Sequence, residues 1–461
     1  MKKRILHILL LSSTATWAQS QVLTFDTFME WVGSRHPLAK SANVQVEIGE
    51  ASVTAARGSF DPMAFASVNQ KTYDEVNYYN RELYGVELPT WGGLSFNTLF
   101  ERNTGAYLNP EKNVPQSGLF SAGMRVNLGQ GLMIDERRKA LWQSKAFEQQ
   151  SVEQQRIELN NLYLDAAKTY WLWVLSNQNY EVLERGLAVS TERFRGIRAS
   201  FLAGELPAID TIEAYAQLQN ISIQLKEQEI QRYYYRQIAS AFLWNDDLQP
   251  MDLDSTTYPE SLEEIERKGI PSNLIAELDQ HPELELLRQQ REILDIERRW
   301  KAEQIKPTLF VQYNALTSSF GDFEQQAFFQ NNYAMGGGFS IPLFLRKERG
   351  NLRIAKAQLK QTDFDLVNTS ARLMAGLMGD INELKVTGEQ MNIAREMVYS
   401  LQRLLLGEQQ RFELGESSIF LINNRENMLL NGKISQNQIR AQWMINRAKV
   451  INSAGKAWAE F

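Results

Sequence analysis

Two long stretches of this 461-residue chain lack proline and carry mostly apolar residues at a sustained spacing of three and four. No proline lies between Pro115 and Pro207, and none from Leu343 to the C-terminus. In the first stretch Tyr180, Leu183, Leu187, Ser190, Phe194, Ile197 and Phe201 follow that spacing; in the second, Met391, Ala394, Val398, Leu401, Leu405, Glu408 and Phe412 repeat it in register. A period of 3.5 residues kept up in this way predicts long helices packed against other long helices, as in a coiled coil. Helices over residues 132–203 and 345–414 would each run about 105 Å at 1.5 Å per residue, far longer than an ordinary globular helix.

The two stretches belong to an internal duplication. His36-Pro37 and His281-Pro282 lie 245 positions apart, and the same offset pairs Pro62 with Pro307 and Phe65 with Phe310. Farther on, Phe201-x-x-Gly204-Glu205 pairs with Phe412-x-x-Gly415-Glu416 at an offset of 211. The interval from Pro62 to Gly123 is 61 residues and that from Pro307 to Gly336 is 29, so the first copy carries about 32 extra residues at one place. The spacing divides the chain into repeat 1 (21–247), a connector (248–280) and repeat 2 (281–461).

Each copy has the same grammar. A helix starts at the His-Pro, where proline's missing N–H costs nothing. Pro62 and Pro307 end it, because the residue before proline is pushed out of the α region. Alternating segments follow, predicting strands over 63–73 and 119–128 in copy one and over 308–318 and 333–343 in copy two. About 9–11 residues suffice for a tilted strand to cross a membrane. The long helix comes next, then a glycine turn and a return helix (208–243 and 419–459). Gly129, Gly131 and Gly336 to Gly338 lack the βαβ context of a phosphate loop and suit a strand that bends into a helix.

The N-terminus sets the compartment. Lys2, Lys3 and Arg4 precede an apolar run and small residues up to Ala18, the pattern of a secretory signal peptide over 1–20. Its removal takes three positive charges away and moves the formal net charge from −6 to −9. An acidic chain with no basic tract is a poor nucleic-acid binder. The absence of cysteine excludes disulfides, thiolate metal sites and cysteine nucleophiles. His36 and His281, the only histidines beyond the leader, occupy equivalent helix starts and suggest structural roles, so no metal site, no cofactor and no enzyme chemistry is expected.

Four strands cannot close a barrel, and lipid tolerates no open sheet edge, so the chain is expected to share a barrel with copies of itself. Twelve strands from three copies leave a wider bore than eight from two. The twofold order of helix, strand, strand, long helix, glycine turn and helix, over about 23–461, resembles the TolC family of outer-membrane efflux proteins. The tip segments 201–214 and 412–424 resemble that family's turns. The resemblance implies a mainly α protein with membrane β: a homotrimeric channel with a 12-stranded β-barrel, four strands per chain, continued by a long α-helical coiled-coil barrel. It implies an outer-membrane location in contact with lipid, with the helices projecting into the periplasm. The implied function is the exit duct of a tripartite efflux or type I secretion system, fed by a periplasmic adaptor protein and an inner-membrane pump. A periplasmic coiled-coil scaffold or adaptor without a pore is the alternative.

The resemblance also points to site residues. Gly204, Glu205, Leu206, Gly415, Glu416, Ser417 and Ser418 would present the periplasmic tips to an adaptor, besides reversing the chain. Asp210 and Glu213 would line the entrance, or serve as helix N-terminal carboxylates favoured by the macrodipole. Leu421 and Asn424 stand where some relatives carry aspartate, and Ser417 where an arginine latches the gate. Closure would then rest on Phe420 and Leu421.

Overall fold

The computed structural model describes residues 21–262, 273–318 and 332–460, which leaves the leader at 1–20 outside them, with part of the connector and part of the loop between the last two predicted strands. The chain divides into two compact units, one built from Met1–Lys40, Glu158–Leu278 and Met374–Phe461, the other from Ser41–Ile157 and Asp279–Leu373. Each takes segments from both halves of the chain. The helices are α1 (Phe25–Arg35), α2 (Pro37–Gly58), α3 (Glu136–Leu202), α4 (Ala208–Ser240), α5 (Pro282–Glu303), α6 (Arg346–Glu413), α7 (Ile419–Ser453) and the short α8 (Ala457–Glu460). At 67 and 68 residues, α3 and α6 are the two long helices that the heptad spacing predicts. No helix among the described residues is long and apolar enough to cross a membrane.

The first unit is helical. A small sheet pairs β1 (Gln21–Leu23) in parallel with β6 (Thr257–Pro259) of the connector. Phe25, Phe28, Met29 and Val32 of α1 are buried at the i, i+3, i+4, i+7 spacing of an amphipathic helix. They pack on Tyr170, Trp171 and Trp173 of α3, each burial worth about 1.5–3 kcal/mol. Tyr170 satisfies its buried hydroxyl by donating to the Leu23 carbonyl at 2.7 Å. Farther along, side-chain hydrogen bonds join α7 to three helices: Asn437 Nδ2 donates to Asn179 of α3 at 3.0 Å, Asn446 Nδ2 to the Thr387 hydroxyl of α6 at 3.0 Å, and Gln217 of α4 to Asn427 at 2.7 Å. Polar pairs in an apolar seam penalise every other register, so they fix how the helices align.

The second unit holds the main sheet, and here the expectation of four strands is corrected to six. The order is β2 (Met63–Tyr73), β3 (Val76–Pro89), β4 (Leu94–Thr104), β5 (Leu119–Asn127), β7 (Thr308–Thr317) and β8 (Tyr333–Ser340). Every neighbouring pair is antiparallel. The additional residues expected in the first half of the chain supply the β3–β4 hairpin, which lies inside the sheet between β2 and β5.

The register sorts the side chains by face. Successive rungs of one face carry Ala66, Tyr84, Phe100, Phe120 and Thr317; Ala64, Val86, Thr98, Ala122, Ala315 and Tyr333; Leu88, Phe96, Met124, Tyr313 and Met335; then Leu94, Val126, Val311 and Gly337. No charged residue stands in these four rungs. Charged and amide residues collect on the opposite face, with Glu87, Asn97 and Asn314 in one rung and Ser95, Arg125 and Gln312 in another. Large apolar residues of the first face, among them Val86, Phe96 and Met335, are exposed in the single chain.

Buried charges pin the strand-to-helix junction. Arg138 of α3 donates to the carbonyls of Leu132 at 3.0 Å, Met133 at 3.2 Å and Gly131, and pairs with Asp135 at 3.1 Å. Glu303 of α5 accepts from the Met133 amide at 3.1 Å and from Lys306 at 2.7 Å. A Cβ on Gly129 would lie 2.1 Å from the Pro307 carbonyl oxygen, so the chain passes here only as glycine.

Candidate functional site

Both long helices end in the same way. At the first tip Gly204 has φ +78°, the Glu205 amide donates to the Ser200 carbonyl at 2.9 Å, and the Gly204 amide to Phe201 at 3.0 Å. At the second, Gly415 has φ +78°, with Glu416 to Arg411 at 2.8 Å and Gly415 to Phe412 at 2.9 Å. This is the Schellman pattern, in which a left-handed residue turns the chain while its neighbours satisfy the last carbonyls. Gly204, Glu205, Gly415, Glu416 and Ser418 are exposed, and Leu206 and Ser417 are half-buried. Ser418 caps α7, its hydroxyl accepting from the Leu421 amide at 3.5 Å, whereas Pro207 opens α4 with no side-chain cap bond.

Below the turns the tips differ. Ile197, Ala214 and Ile419 form a buried apolar cluster on which Phe194, Leu206 and Phe412 pack. Glu408 takes the place in the second copy that Ile197 holds in the first, and its side chain is only 5% exposed. Ser417 donates to it at 2.6 Å, and Arg425 of α7 and Arg411 lie at 3.5 Å and 3.7 Å. The Ser417 hydrogen bond, with the two arginines behind it, holds the Glu408 carboxyl below the usual carboxylate range. A second buried pair joins α3 to α7: Arg193 grips Glu426 bidentately at 2.5 and 2.9 Å, with 15% and 5% of their side chains exposed.

The predicted lining residues distribute as follows. Asp210 lies in the first turn of α4, half-buried like Glu213. Phe420 and Asn424 are exposed on α7, and Leu421 is half-buried. An arginine does stand under the second tip, but it is Arg425, reached from Ser417 through Glu408. The clasp escapes sequence reasoning because its members are 9 and 17 residues apart. Its one visible signal is a carboxylate at an apolar heptad position. His36 and His281 do the same local work, each accepting through Nδ1 the amide two residues on, at 3.2 Å from Leu38 and 3.1 Å from Glu283.

Exposed apolar residues run along α4 outside these clusters: Ile209, Ile212, Ile223, Ile230 and Tyr233. Positions 209, 223 and 230 fall in heptad register, the pattern of a helix face made to meet another helix.

In sequence, no family model and no curated protein matches the chain. Solved structures do. The outer-membrane channel CmeC of Campylobacter jejuni superposes with a TM-score of 0.65 at 16% identity, over 94% of this chain and 85% of that one. The outer membrane protein VceC of Vibrio cholerae gives 0.65 at 13% identity, over 93% of this chain and 95% of that one. The channel MtrE of Neisseria gonorrhoeae, in its open state, gives 0.68 at 12% identity, over 94% and 88%. The likeness spans nearly the whole chain, and the fold is that of the TolC-like outer-membrane channels.

Proposed function

We propose that the chain is one protomer of an outer-membrane exit duct, a homotrimer that passively conducts substrate out of the cell. The observation that carries this reading is the six-stranded sheet with one face free of charge over four rungs and, among the described residues, with unpaired edges at β2 and β8. In lipid an open edge leaves backbone groups unsatisfied at a cost of several kcal/mol each, so such a sheet must close with further copies. The exposed heptad stripe on α4 supports the same conclusion for the helices. The leader-like N-terminus and the fold of the solved channels agree with an outer-membrane location and with helices projecting into the periplasm.

In this reading the tips (Gly204, Glu205, Leu206, Gly415, Glu416, Ser417 and Ser418) meet a periplasmic adaptor belonging to an inner-membrane pump, as in tripartite efflux or type I secretion. Asp210, Glu213, Phe420, Leu421 and Asn424 line the entrance, where carboxylates repeated around an axis would favour cations.

The deciding measurement is the mass of the detergent-extracted protein by light scattering corrected for detergent. Three times the chain mass of 53.0 kDa, less the leader, is expected. A monomer that stays in the soluble periplasmic fraction would overturn the channel and favour a scaffold.

A further inference from the structure

We propose that β3–β4 is an additional membrane-crossing hairpin, so that each chain supplies six strands to the shared barrel. The proposal rests on the channel reading above and concerns what the first copy's extra residues do within it. A hairpin inserted into a surface loop would be free to lie outside the bilayer, with no reason to keep the alternation of its neighbours. This hairpin keeps it. Val86, Leu88, Phe96 and Thr98 share one face with Ala122 and Met124 of β5, rung for rung. Glu87, Asn97 and Ser95 fall on the other face, beside Arg125.

Both ends of the hairpin also coincide with the ends of its neighbours. At one end Tyr84, Phe100 and Phe120 stand in a single rung, with ring centroids 6.4 and 4.5 Å apart. In the next rung of the same face Glu82 stands opposite Arg102. An aromatic row followed at once by charge is how a barrel marks the edge of its lipid band. The row runs without a break from the hairpin into β5. At the other end, the four-residue turn between β3 and β4 sits at the strand-to-helix junction. Trp91 stacks on Phe60 at 4.6 Å with the rings 2° apart, and a Cβ on Gly93 would lie 3.1 Å from the Arg138 guanidinium. The hairpin therefore spans the full height of the apolar band. At 14 and 11 residues its strands are long enough to cross a bilayer tilted.

Closure follows the same geometry. With all five pairings antiparallel, β2 and β8 run in opposite senses, so the β8 edge of one copy accepts the β2 edge of the next as another antiparallel pair. Three copies with six strands each close at eighteen. Barrel diameter grows roughly linearly with strand number, so the exit is about half again as wide as a twelve-stranded one.

The absence of cysteine makes the test direct. Thr98→Cys, Asn97→Cys and, as the reference in β5, Ala122→Cys are introduced singly into the full chain. Each is exposed in outer-membrane vesicles to a charged, water-soluble maleimide. Lipid-facing thiols at Thr98 and Ala122 should label more than about tenfold slower than the lumen-facing thiol at Asn97. If Thr98→Cys labels as fast as Asn97→Cys while Ala122→Cys stays protected, the hairpin lies outside the bilayer and the proposal fails with the channel intact. If Ala122→Cys also labels fast, the sheet is not in lipid and both readings fall. Counting barrel strands in the purified assembly by electron cryomicroscopy gives a second readout: eighteen supports the proposal and twelve overturns it.

Discussion

The Ser417 hydroxyl donates to the buried Glu408 carboxylate at 2.6 Å, and this one bond ties the second helical turn to the helix beneath it. The equivalent place in the first copy belongs to Ile197, which packs on Ala214 and Ile419. One tip is thus held by charge and hydrogen bonding, the other by apolar contact. Glu408→Gln keeps the shape and removes the charge that Arg411 and Arg425 face. Amide exchange around 411–421 should rise about tenfold, while 199–205 stays unchanged. Because the Glu408 pKa is lowered on folding, the clasp is complete above the ordinary carboxylate range and is lost only as pH falls through its depressed folded value. Hydrogen exchange against pH on the wild type and Glu408→Gln checks both statements.

Arg193 and Glu426 form a buried bidentate pair, and removing one partner strands the other. Arg193→Met should cost about 3 kcal/mol, whereas the double change Arg193→Met with Glu426→Leu should recover most of it, since an apolar pair of similar volume is often neutral. Chemical denaturation in detergent, followed by tryptophan fluorescence, measures the difference.

His281 caps α5 through an unprotonated Nδ1. Burial lowers its pKa from 6.5, so the neutral form is the one that folding favours. Its contribution is full above pH 6.5 and is lost as pH falls through the lower folded value. Acidification should therefore fray the start of α5 at a cost of about 1 kcal/mol, and His281→Asn, which caps without titrating, should abolish that pH dependence. Exchange of the Glu283 and Glu285 amides between neutral and mildly acidic pH reports it.

Both tip glycines sit at φ +78°, where a Cβ costs about 1–2 kcal/mol. Gly204→Ala and Gly415→Ala should each destabilise their own hairpin by that amount and leave the other alone, as read by local exchange.

Val311 and Gln312 are neighbours on opposite faces of β7. If the sheet lies in lipid as proposed, Val311→Arg should destabilise it, by at most the roughly 2–4 kcal/mol such a charge costs at the bilayer midplane, and Gln312→Arg little. The yield of folded, heat-resistant protein in the outer membrane measures the contrast.

The helical part was legible because its signals are periodic and occur twice. Seven heptad positions per copy, a glycine turn at equivalent places and a proline before each first strand predict α3, α6 and both tips to within a few residues. The β3–β4 hairpin was missed because the shorter copy made its residues look like an inserted loop. The signal was there in the Gly92-Gly93 pair, flanked by the alternation of Leu94, Phe96 and Thr98 on one side and Val86 and Leu88 on the other. Small parallel pairings such as β1 with β6, and clasps such as Ser417 with Glu408, depend on partners that no local pattern brings together.

The hairpin inserted between β2 and β5 has a consequence of parity. Two added strands return the chain to the side from which it left, so β5 still descends into α3 and every later element keeps its direction. A single added strand would deliver the long helix to the wrong side of the sheet. In the shared barrel proposed above, strands would be added only in steps of two per chain, each step leaving the direction of the helices that follow unaltered.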